Sequence, residues 1–149
     1  MVLGIAVGII AIIGTIYLYR RSAALGRPAF DAALASDFSA TDSRWFHSTG
    51  LALDRQRRLL LIGTETGPSR VPLSEISSMD YQQTRTGPAF SGNSILTLIL
   101  LPMAIGAMVH NASNAGLRIV AGGRSYRIVG IQPKDADRWL TQIEAARAG

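Results

Sequence analysis

The first 19 residues, MVLGIAVGIIAIIGTIYLY, hold no charged side chain, and Arg20 and Arg21 follow at once. A helix of that length reaches about 28 Å, close to the ~30 Å hydrocarbon thickness of a bilayer. Tyr17 and Tyr19 sit at its C-terminal end, where aromatic rings prefer the head-group level, and Arg27 adds a third cation beyond. A cleaved signal peptide is the rival reading, but it needs its positive charge before the apolar run and a small-residue site after it. Here the charge lies on the far side, and Ser22-Ala23-Ala24 directly follows two arginines. Residues 1–21 therefore read as an uncleaved, single-pass anchor in the inner (cytoplasmic) membrane. The N-terminus lies outside and the remaining chain is cytoplasmic. Gly4, Gly8, Ala11 and Thr15 share one face of this helix and make a small-residue surface. Such a surface suits close packing on a partner protein or a second copy of the chain, although glycine and alanine are also common in membrane helices generally.

A second apolar stretch lies mid-chain. No Asp, Glu, Lys or Arg occurs between Arg85 and Arg118, a gap of 32 residues, and SILTLILLPMAIGAMVH (residues 94–110) is its apolar centre. Three readings are open: a second span, a membrane-contacting insert, and a strand or helix in a soluble core. Basic residues flank it on both sides, so a span would leave one basic flank outside, against the positive-inside tendency. Pro102 removes a backbone donor and Gly106 weakens helix continuity. The favoured reading is an insert that touches the membrane from the side the domain occupies, through Ile95, Leu98, Leu101, Pro102, Ile105 and Val109.

Between these stretches, residues 22–43 read as a juxtamembrane linker. It is helical in part from near Pro28, with Phe30, Leu34 and Phe38 on one face. Residues 44–147 read as one domain carrying the insert. GLALD and RRLLLIG are apolar runs split by a polar turn, as in a hairpin. SRVPLSEISSMDYQQT gives an extended piece, a turn around Leu73 to Glu75 and another strand, with Pro72 marking an edge or a strand end. LRIVAGGRSYRIVGI holds two β-rich runs joined by Gly122-Gly123, a strong hairpin signal. Last comes QPKDADRWLTQIEAARAG, with Pro133 in the first turn and Ala136, Trp139, Leu140 and Ile143 on one apolar face. The fold class is α+β: an N-terminal transmembrane helix, then a small antiparallel sheet or bent barrel closed by a C-terminal amphipathic helix.

This order resembles the bacterial pleckstrin-homology-like domains, small bent sheets plugged at one end by such a helix. The runs that carry the likeness are GLALDRQRRLLLI, RVPLSEISSMDYQQ, LRIVAGGRSYRIVGI and DADRWLTQI. The chain departs from that pattern at the insert, where a typical domain has short strands. In those domains the first hairpin loop often offers basic side chains to phosphorylated lipid heads. The resemblance thus implies an anionic-lipid site at Arg55, Arg57 and Arg58, where guanidinium groups pair with phosphate in bidentate fashion. The plain alternative is a solvated turn.

The remaining chemistry is sparse. The chain has no cysteine, which removes disulfides and thiolate metal sites, and His47 and His110 lack metal-ligand spacing. There is no GxSxG elbow, no P-loop and no paired carboxylate spacing, so neither an enzyme nor a cofactor or metal is expected. The formal charge of +5, with 14 of the 15 basic residues arginine, favours anionic partners. Membrane lipids fit that preference; nucleic acid does not, for want of a basic helix or an aromatic platform. The expected role is a non-enzymatic, membrane-anchored binding or scaffold protein. The rival is a structural subunit of a larger membrane complex, with both apolar segments packed on partner helices.

Overall fold

A computed structural model describes residues 2–82 and 116–149, and the side chains of all of these except residues 2–4, 22 and 23. Helix α1 spans Val2–Ala24 and α2 spans Arg27–Asp37. The two are separated at Leu25 and Gly26, where Gly26 sits so close to the Thr64 carbonyl that a Cβ would overlap it. From Ile5 to Leu18 the large apolar side chains of α1 are between 38% (Ile12) and 70% (Ile10) exposed, so the rest of the chain does not cover them. Among the described residues no helix is long and apolar enough to cross a membrane. The side chains of α1 are described over residues 5–21, which is 17 residues against the roughly 20 that a span needs. The charge-free run in the sequence continues from there back to Met1.

The strands form two antiparallel sheets rather than one closed barrel. Sheet 1 has the order β1 (Asp42–Trp45), β2 (Gly50–Asp54), β3 (Leu59–Thr64), β4 (Gly67–Pro72). Sheet 2 has β5 (Ile76–Gln82), β6 (Gly116–Ala121), β7 (Arg124–Val129), after a 3-10 turn at Leu73–Glu75. The inward residues of sheet 1, among them Leu51, Leu53, Leu60 and Ile62, meet Leu117, Ile119 and Ile128 of sheet 2 in one core. Helix α3 (Pro133–Ala148) adds Ala136, Trp139 and Ile143 to it. Reciprocal ion pairs, Arg44 to Asp135 at 3.3 Å and Arg138 to Asp42 at 2.8 Å, lay α3 along β1.

Strand β2 is buried along its whole length because its second face is covered too. There α2 places Phe30, only 1% exposed, over Ala52 and Leu61, with Phe38 beside them. The segment read as a linker is thus a docked helix that adds a third layer.

The molecule has two distinct ends. At the far end lie the β2–β3 turn, the Leu73–Glu75 turn, the Gly122-Gly123 turn and the C-terminus of α3. Backbone bonds from Leu73 to the Arg58 carbonyl and from Gly122 to the Glu75 carbonyl hold these together. At the opposite end, the base, Thr49 of the β1–β2 loop accepts the Val129 N–H at 3.1 Å and so ties the two sheets. Next to it, His47 lies against Gly130, which has φ +75° and no room for a Cβ. The His47 ring stacks on Tyr19 of α1, with centroids 4.1 Å apart. The anchor candidate therefore meets the folded part at the base.

Candidate functional site

The three arginines of the β2–β3 turn have different fates. Asp54 begins the turn, fully buried, and its carboxylate accepts the Arg57 N–H at 2.9 Å and the Ser39 N–H at 3.1 Å. This Asx-type bond shapes the turn. It leads into Arg58 at φ +56°, where a non-glycine residue is uncommon. The Arg57 guanidinium donates to the Asp37 carboxylate at 2.8 Å and to the Asp37 carbonyl, tying the turn to the end of α2. That hydrogen bond first, and the arginine's charge second, hold the Asp37 carboxyl below its ordinary range and raise Arg57. Arg58 donates to the Arg147 carbonyl at 2.7 Å, a cation satisfying the C-terminus of α3. Only Arg55 keeps a guanidinium with no partner among the described residues, and it points from the exposed turn.

The turn is at the far end, and the strands β2 and β3 separate it from α1. At about 3.3 Å per residue, five strand residues put some 17 Å between the turn and the base. The site that the resemblance assigns to lipid heads is thus a largely internally braced turn remote from the anchor candidate.

On α1, Gly8 has nothing within 4 Å of a notional Cβ, and Ala11 and Thr15 are exposed. The Thr15 hydroxyl donates to the Ala11 carbonyl at 2.8 Å, so this polar group is satisfied within the helix. Gly4 lies in the same helix, on the face the sequence spacing defines. The insert residues Ile95, Leu98, Leu101, Pro102, Ile105 and Val109, and His110 with them, lie outside the described residues. The places where the chain leaves and returns are described: Gln82 and Gly116 are register partners in sheet 2, at the base.

The sequence reading missed three things here. It did not see that α2 docks, that Asp37 neutralises Arg57, or that Tyr19 and His47 join α1 to the domain. The first had a signal, since Phe30, Leu34 and Phe38 fall on one helix face and demand a partner surface. The other two are long-range pairings with no local mark. Among the described residues no three of His, Asp and Glu come together to hold a metal ion. Comparison with known protein families, with curated proteins and with solved structures finds no match to this chain.

Proposed function

We propose that this protein is a non-catalytic adaptor of the inner membrane, anchored by α1 with its N-terminus outside, which holds a protein partner at the cytoplasmic face. The observation that carries the reading is the surface of α1. Its apolar side chains are exposed from Ile5 to Leu18, and the folded part hangs from its C-terminal end. Burying each such side chain in an apolar medium is worth about 1.5–3 kcal/mol, and hydrocarbon is the medium that covers all sides of a helix at once. Arg20 and Arg21 near its end, with Arg27 just beyond at the start of α2, support the cytoplasmic orientation.

A pleckstrin-homology-like scaffold is supported by the four-strand and three-strand sheets followed by a packed C-terminal helix. In this arrangement the base faces the bilayer, and the apolar insert of residues 94–110 meets the near leaflet. The Arg55 turn then points into the cytoplasm. Its distance from α1 favours a protein partner there over the head groups of the anchoring membrane. The face of Gly8, Ala11 and Thr15 serves a helix partner within the bilayer.

The chain has no native cysteine, so single cysteines report topology directly. Cysteines at Gln56 and Gly149 are expected to label only from the cytoplasmic side, and one at Val2 only from outside. The protein is expected to stay in membranes after alkaline carbonate extraction. Release by carbonate, or labelling of Gln56 and Gly149 from opposite sides, overturns the proposal.

A further inference from the structure

The two sheets differ on their outer faces. Sheet 1 is covered by α2, whereas the outer face of sheet 2 is open among the described residues. On that open face Arg118 of β6 and Arg127 of β7 are direct register partners. Side chains opposite one another across a strand pair stand about 5 Å apart, and like charges so placed repel. Neither guanidinium has a carboxylate within ion-pair distance among the described residues. Arg118 Nε donates to Ser125 Oγ at 3.1 Å, and Arg127 Nη2 donates to Gln82 Oε1 at 3.5 Å. Asp80 lies opposite Arg118 on β5, exposed and without an ion pair, so the row Asp80–Arg118–Arg127 carries one excess positive charge. The next outward row toward the base is Gln82–Gly116–Val129, about 7 Å on. That row joins the loop of Thr49 and His47, against which Tyr19 stacks.

We infer that Arg118 and Arg127 form an anionic head-group site that binds the phosphate of an acidic phospholipid in the leaflet holding α1. The inference rests on the membrane anchorage proposed above. Two guanidinium forks on adjacent strands present several N–H donors to one phosphate, and a shared anion removes the repulsion between them. Ser125 and Ser78, on the same outward face, offer hydroxyls one row further from the base. The site sits where the bilayer surface lies in that arrangement, unlike the Arg55 turn at the far end.

The test uses full-length protein in mild detergent, titrated with phosphatidylglycerol and with phosphatidylcholine of equal chain length, the bound lipid being counted by native mass spectrometry. Wild type is expected to prefer phosphatidylglycerol by about tenfold or more. Arg118→Gln with Arg127→Gln abolishes the preference, Arg118→Lys with Arg127→Lys retains only part of it, and Arg55→Gln leaves it unchanged. Equal binding of the two lipids by wild type overturns the site, as does a preference that survives the double glutamine variant. Displacement of phosphatidylglycerol by an equal concentration of inorganic phosphate overturns the lipid assignment in favour of free phosphate. Both variant pairs change exposed or half-exposed side chains, and unchanged thermal unfolding verifies their fold. Carbonate extraction of the same proteins separates the two proposals. Release means that the anchorage fails, whereas retention without lipid preference means that this site alone fails.

Discussion

Register places Gly50 directly opposite Gly63, and the Phe30 ring lies over both. A Cβ on Gly63 would stand 2.6 Å from Phe30 Cδ2 and 2.8 Å from Trp45 Cζ3, inside contact distance of two packed rings. Gly63→Ala is therefore expected to destabilise by about 1–3 kcal/mol through overpacking. Phe30→Ala should cost about 3–5 kcal/mol by leaving a cavity. The two are coupled: in the Phe30→Ala background the new methyl enters the vacated space, so its cost falls by about 1 kcal/mol or more. Urea unfolding of the four proteins in this cycle measures it, and strictly additive losses would refute the ring-over-glycine packing. Asp54 acts at the same scale. Asp54→Ala strands the Ser39 and Arg57 N–H groups and should cost about 2–4 kcal/mol. Asp54→Asn, which keeps an acceptor oxygen, should cost less in the same assay.

At the scale of elements, α2 is fastened at its C-terminal end by Asp37 to Arg57. The Asp37 carboxyl is held below its unfolded-state value, so the pair's contribution is complete above the unfolded pKa of about 4 and is lost as pH falls through the lower folded value. The stability difference between wild type and Asp37→Asn should hold from neutral pH to about pH 5, then shrink to nothing on further acidification. Both side chains are exposed, so high salt should also diminish it. A difference that grows with acid would contradict the assignment. Much of the element plan was legible beforehand. Gly122-Gly123 marked the β6–β7 turn, where both residues have positive φ, and the spacing of Ala136, Trp139 and Ile143 marked the buried face of α3. Pro72 marked the end of β4, an edge strand. What stayed hidden was layering. GLALD lacks the alternation of a half-exposed strand because both its faces are covered, and what covers the second face sits in a stretch that reads as a tether. The Arg55, Arg57 and Arg58 turn was legible as a basic hairpin, yet the partners of Arg57 and Arg58 lie 20 and 89 residues away in the chain.

For the whole molecule, the pairing of β5 with β6 fixes where the chain leaves sheet 2 and where it returns. One strand precedes the charge-free segment and the other follows it, and Gln82 faces Gly116 across the ladder. Both ends of the intervening segment therefore lie at the base, where Thr49 bridges the sheets and Tyr19 stacks on His47. The far end carries tight polar turns, an exposed Arg55 and the C-terminus of α3. If the base rests on the membrane, depth should separate the two ends. A fluorophore on Cys at Gln82 should be quenched by lipids carrying a nitroxide at the head group, whereas one on Cys at Gln56 should not. The two positions are separated by the length of the strands, roughly 17 Å, which exceeds the Debye length and the reach of an arginine side chain. The same experiment bears on the two arginine sets, since Arg127 bonds Gln82 while Arg55 adjoins Gln56. Quenching at Gln56 with none at Gln82 would invert the molecule on the membrane and return the head-group role to the hairpin turn. Quenching at Gln82 alone places Arg118 and Arg127 at the bilayer surface and leaves the Arg55 end to a cytoplasmic partner.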